Sequence, residues 1–131
     1  MLVVIGCGHA PTAPAAPSYA GTWTGTTSQG TAVRFTVSAD QKLTDLTVGY
    51  DFNGCAGTLT FTPGVAITNV PTAPIPVGSA SYESGAVGTA NRLLINFLFT
   101  STTDSHGLAI FVDYAACGGG ALTTAWTATR R

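Results

Sequence analysis

Residues 19–27 read Tyr-Ala-Gly-Thr-Trp-Thr-Gly-Thr-Thr, and their alternation decides the fold class. Tyr19, Gly21, Trp23 and Gly25 share one face, and Thr22, Thr24 and Thr26 the other. A period of two, with the large aromatic residues on one side and β-branched hydroxyls on the other, is the pattern of a half-buried β-strand. Ala121–Arg130 repeats it at the far end, where Leu122, Trp126 and Ala128 alternate with Thr123, Ala125, Thr127 and Thr129. Each segment carries one of the two tryptophans of the chain. Enclosing both indoles in one core would tie the two ends of an all-β domain together.

Between these segments the same period recurs. Thr31–Ser38 places Val33, Phe35 and Val37 inward after the turn Ser28-Gln29-Gly30, which reads as a hairpin. Leu46, Val48, Tyr50 and Phe52 form the next inward face, after a turn at residues 39–42; Leu59 and Phe61 belong to a short strand at Thr58–Thr62. Residues 63–83 hold prolines 63, 71, 74 and 76, which cannot donate to a ladder, so edge strand and crossing loop are expected, with Ile67, Ile75 and Val77 at the core rim. Arg92–Thr100 and His106–Tyr114 are apolar on both faces. Pairing their larger inward sets opposes Phe97 to Ile110 and Ile95 to Val112, with residues 102–105 as the loop. That register leaves Leu94, Leu98 and Phe111 together on the outer face, either covered by the 63–83 excursion or open to a protein partner. The sum is about eight strands in an antiparallel β-sandwich or flattened closed meander barrel.

Composition narrows the function classes. The chain has 131 residues, 45% hydrophobic but only 8% charged, with a net charge of −1. Soluble domains average about 25% charged residues, so this surface is hydroxylated rather than ionic. Nucleic-acid binding needs clustered cations to displace counterions from phosphates, and there is no run of Lys or Arg. No residue pattern calls for a cofactor or a metal. Asp104-Ser105-His106 gathers a carboxylate, a serine and a histidine, but adjacent residues in a hairpin tip read as turn formers. Asp51-Phe52-Asn53-Gly54 opens like a calcium loop without its later ligands, and reads as an Asx turn.

Val4-Ile5-Gly6-Cys7 resembles the lipobox of bacterial lipoproteins, in which the cysteine becomes the lipidated N-terminus. Read without that resemblance, the same residues are an apolar N-terminus with a free thiol. The resemblance implies that residues 1–7 are the remnant of a signal, with Cys7 as the lipid attachment. Residues 8–18, with prolines at 11, 14 and 17, then form a semi-rigid tether carrying a solvated His9, and residues 19–131 a single β domain. It places the protein in the bacterial cell envelope, on the outer membrane or cell surface, or secreted, and held to the membrane through its lipid. In such an exported chain Cys55 and Cys117 are expected to form a disulfide.

Two further resemblances concern the domain itself. Gly21-Thr22-Trp23 is similar to the G-x-W signature on the first strand of lipocalins and other calycin barrels, in which a basic residue of the last strand packs over the tryptophan. Arg130 is placed to pair with Trp23 in that way, and the resemblance implies a barrel carrying a small hydrophobic ligand. More widely, Gly-Thr-Trp-Thr-Gly-Thr-Thr-Ser-Gln-Gly, Phe-Thr-Val-Ser, Gly-Cys, Thr-Ser-Thr-Thr, Cys-Gly and Trp-Thr-Ala-Thr-Arg look like small secreted or lipoprotein β-domains of bacteria with no assigned activity. The expectation is therefore a non-enzymatic, monomeric binding or display module that meets protein or polysaccharide. A calycin-like carrier is the alternative.

Overall fold

The computed structural model describes residues 17–52, 54–70, 77–85, 91–114, 117–118 and 120–131. Cys7, His9, Asn53 and Ile75 lie outside the described residues. The strands are β1 (Gly21–Thr27), β2 (Ala32–Val37), β3 (Lys42–Phe52), β4 (Cys55–Phe61), β5 (Val65–Ala66), β6 (Thr68–Val70), β7 (Val77–Glu83), β8 (Arg92–Phe99), β9 (Asp104–Val112) and β10 (Ala121–Arg130). No α-helix occurs among the described residues. The strands form one antiparallel sheet in the order β4-β3-β2-β1-β10-β9-β8-β7-β6, curled into a half-barrel, with β5 paired to the start of β3.

The two terminal strands are neighbours in the middle of this sheet, with Arg130 opposite Trp23 and Trp126 opposite Thr27. Curling brings their indoles into one core with Phe35 between them. Phe35 stacks on Trp23 at 5.6 Å and meets Trp126 edge-on at 5.7 Å. Phe97 and Phe99 approach from β8, at 5.2 Å from Trp126 and 5.1 Å from Trp23 respectively. Burying each such side chain contributes roughly 1.5–3 kcal/mol.

Two glycines let the sheet curl this tightly. A β-carbon on Gly25 would lie 1.8 Å from the carbonyl oxygen of Thr127, and one on Gly107 would lie 2.0 Å from that of Asn96. Both obstacles are backbone, so no side chain can swing aside to make room.

The register of β8 and β9 differs from the expected one. Ile95 opposes Ala109, and Ile110 opposes Leu94 rather than Phe97, a slip of three positions. An odd slip exchanges the faces of a strand. Ser105, Ala109 and Phe111 therefore point into the core, and Leu108 is exposed. The reason is volume: Gly107 sits directly opposite Trp126, and Ser105 opposite Ala128 and Phe99. Small residues on β9 make room for the indole of β10 and the phenyl rings of β8. The larger set (Leu108, Ile110 and Val112) would collide with them.

Other boundaries move as well. Lys42 begins β3 instead of ending a turn, β4 starts at Cys55, and β9 starts at Asp104. The described parts of this span, residues 63–70 and 77–83, are more regular than the prolines imply. β7 pairs with β8 along Gly78–Glu83, extending the sheet instead of lying over its outer face. The described β6 is a short edge strand, as the prolines around it require.

Candidate functional site

The concave side of the half-barrel is filled with rings. Besides the central cluster, Tyr19 packs on Phe99 at 4.7 Å at one end, and Tyr50, Phe52, Phe111 and Tyr114 form a second cluster at the other. Cys55 and Cys117 are disulfide-bonded beside this second cluster, with Cα atoms 5.3 Å apart. The bridge joins the β3–β4 turn to the β9–β10 connection, and so pins an outer strand to the middle of the sheet.

Arg130 stands opposite Trp23 in the β1–β10 ladder. Its guanidinium donates to the carbonyl oxygens of Ser18 and Ala20 at 3.2 and 2.9 Å. The Trp23 indole donates to Tyr19 O at 2.9 Å, so both side chains hold the segment that leads into β1.

The candidate surface lies on the convex side, over β7 to β10. Leu94, Leu98 and Ile110 are half-buried there and Leu108 is 45% exposed. Phe111 does not belong to this patch: it is 1% exposed and faces the core, because of the register described above. Leu108 and Ile110 replace it. A shallow hollow of about 500 Å³ lies among Asn96, Leu98, His106, Leu108, Trp126 and Thr127. It continues into one of about 290 Å³ along Tyr82, Leu94 and Ile110. The hollow sits where the β8–β9 ladder is interrupted. The Leu108 N–H donates to the side-chain oxygen of Asn96 at 2.7 Å, because the close approach at Gly107 displaces the backbone pairing. Sequence reasoning missed Asn96. The only signal was a polar residue inside the apolar run Leu93–Phe99.

The Asp104-Ser105-His106 cluster is taken apart by the strand that contains it. Ser105 points inward and is 3% exposed, while Asp104 and His106 point outward. Asp104 accepts hydrogen bonds from the hydroxyls of Ser101 and Thr103, at 3.0 and 3.1 Å, and so acts as a turn former. Asp51 likewise accepts from Gly54 N–H at 3.2 Å, which is a turn contact. Among the described residues, no three His, Cys, Asp or Glu side chains gather as a metal site would require. No family model, curated protein or solved structure matches this chain.

Proposed function

We propose that the chain is a non-enzymatic β-module of the bacterial cell envelope, lipid-anchored through Cys7, which binds or displays through its convex face. The observation that carries this reading is the Cys55–Cys117 bridge, which is compatible with an extracellular or envelope location. The apolar strip Leu94, Leu98, Leu108 and Ile110 supports a recognition role, since the outer faces of β1 and β10 carry threonines instead. Its occupant is a protein or polysaccharide surface. The test is mass spectrometry of the N-terminal peptide from the membrane fraction. A diacylglyceryl-modified Cys7, with release of a Cys7→Ser variant into the soluble fraction, is the expected outcome. An unmodified Cys7 on membrane-free protein would refute the anchor.

The second reading is a calycin-like carrier, favoured by the position of Arg130 opposite Trp23. The ring-filled concave side supports the module over the carrier. A small molecule retained in native mass spectrometry would reverse that preference.

A further inference from the structure

The two edges of the sheet are built differently. β6 is three residues long and is followed by prolines 71, 74 and 76, features that discourage pairing with another chain. β4 is seven residues long, Cys-Ala-Gly-Thr-Leu-Thr-Phe, with no charge and no proline. It pairs with β3 in unbroken register from Phe52↔Cys55 to Leu46↔Phe61. Proteins usually blunt a long edge strand with lysines, prolines, bulges or a covering segment. β4 has no lysine, proline or bulge, and among the described residues the β7 ring of Tyr82 meets it only at its C-terminal end, 5.6 Å from the Phe61 ring.

Its unused hydrogen-bonding groups can be identified. Gly49 O accepts from the Thr31 hydroxyl at 2.8 Å, and Asp51 N–H donates to the side chain of Gln29 at 2.9 Å. The odd-numbered residues at this end of β3 therefore direct their backbone groups away from β4, towards β2. Val48, Tyr50 and Phe52 must then be the residues bonded to Leu59, Gly57 and Cys55. That leaves the N–H and C=O of Ala56, Thr58 and Thr60 pointing off the edge, and no partner for them occurs among the described residues. All three side chains are exposed.

We infer that a second copy of this chain pairs with β4, edge to edge and antiparallel, about a two-fold axis through Thr58. The strand is complementary to itself in that register. Ala56 faces the partner copy's Thr60, and Thr58 faces its own counterpart, so each outward N–H and C=O finds an acceptor or donor. On the inner face Leu59 falls opposite Gly57 of the other copy. Gly57 has no side chain because Tyr50 lies over it: a β-carbon there would come within 2.6 Å of the Tyr50 hydroxyl. Leu59 of one copy thus meets the Tyr50 ring of the other. Any charged residue near the axis would confront its own copy in a symmetric pair, which accounts for the neutrality of the strand.

The experiment is sedimentation and light scattering of the oxidised full chain, with two variants at the axis. Thr58→Lys sets two ammonium groups face to face without touching the β3–β4 ladder. Thr58→Cys, in a Cys7→Ser background, places two thiols across the axis. The wild type is expected to be dimeric, and Thr58→Lys monomeric with an unchanged near-ultraviolet tryptophan signal. Thr58→Cys is expected to form a disulfide-linked dimer under mild oxidation. Ala56→Cys in the same background is expected not to, since its partner is Thr60. A wild type that stays monomeric at its highest soluble concentration overturns the proposal. So does a dimer that survives Thr58→Lys, or a Thr58→Cys protein that fails to cross-link, and the cysteine variant stays informative should the lysine variant misfold.

Discussion

The indole N–H of Trp23 donates to the carbonyl oxygen of Tyr19 at 2.9 Å, four residues earlier in the chain. The other indole, that of Trp126, is equally buried and has no acceptor among the described residues. The two rings bury similar apolar surface, so the same substitution separates packing from hydrogen bonding. Trp23→Phe leaves a buried carbonyl without its donor, which costs about 1–3 kcal/mol beyond the lost ring. Trp126→Phe removes a polar group that was already unsatisfied. Urea unfolding should therefore rank Trp23→Phe as the more damaging by at least about 1 kcal/mol. Equal losses would mean that the Tyr19 carbonyl finds another partner.

The Cys55–Cys117 bridge spans 62 positions. A loop of that length removes chain entropy from the unfolded state worth about 4 kcal/mol, out of a typical domain stability of about 5–15 kcal/mol. Replacing both cysteines by alanine, or adding a strong reductant, should lower the urea midpoint by a corresponding amount. The Tyr50, Phe52, Phe111 and Tyr114 cluster beside the bridge should lose its near-ultraviolet dichroism before the tryptophans do. A loss below about 1 kcal/mol would show that the unfolded chain is already compact between the two positions.

The parts of this fold that were legible in the sequence are those in which one face is apolar and the other is not. β1 and β10 set an apolar face against threonines, and β2 sets one against Ala32, Arg34 and Thr36, so their inward sets follow directly. β8 and β9 are apolar on both faces, and hydrophobic alternation cannot choose between registers there. The choice is made by volume, through Gly107 opposite Trp126, and volume is visible only once strand partners are known. The convex patch inherited that error through Phe111. The interruption at Asn96 was hidden because it depends on the same close approach.

The corrected register carries its own test. Phe111 is 1% exposed and Leu108 is 45% exposed. Phe111→Ala should cost about 3–5 kcal/mol, as large-to-small changes in cores do. Leu108→Ala should stay within about 0.5 kcal/mol of wild type, as exposed positions usually do. The alternative register predicts the opposite ranking. A thermal or urea series on the two single variants distinguishes them without a new structure.

Alkaline pH should unfold the protein through its buried phenols. Tyr19 and Tyr114 are 1% and 8% exposed, and burial raises both hydroxyls above their ordinary value of 10.0, with the nearby Tyr50 phenol adding to the shift at Tyr114. A raised folded value means that the unfolded chain gives up the proton first. The stability these groups support is complete below the unfolded value near 10 and declines as pH climbs from there through the folded values. Each contributes a slope of up to about 1.4 kcal/mol per pH unit. Urea midpoints should therefore be level from about pH 8 to about pH 10 and then fall. Tyr19→Phe and Tyr114→Phe should each make that fall shallower, because a phenylalanine has no proton to lose. Tyr19 donates only a long 3.5 Å contact to the Asn69 side chain, so its replacement should cost little at neutral pH. A double variant whose midpoint falls as steeply as the wild type would assign the alkaline transition to another group.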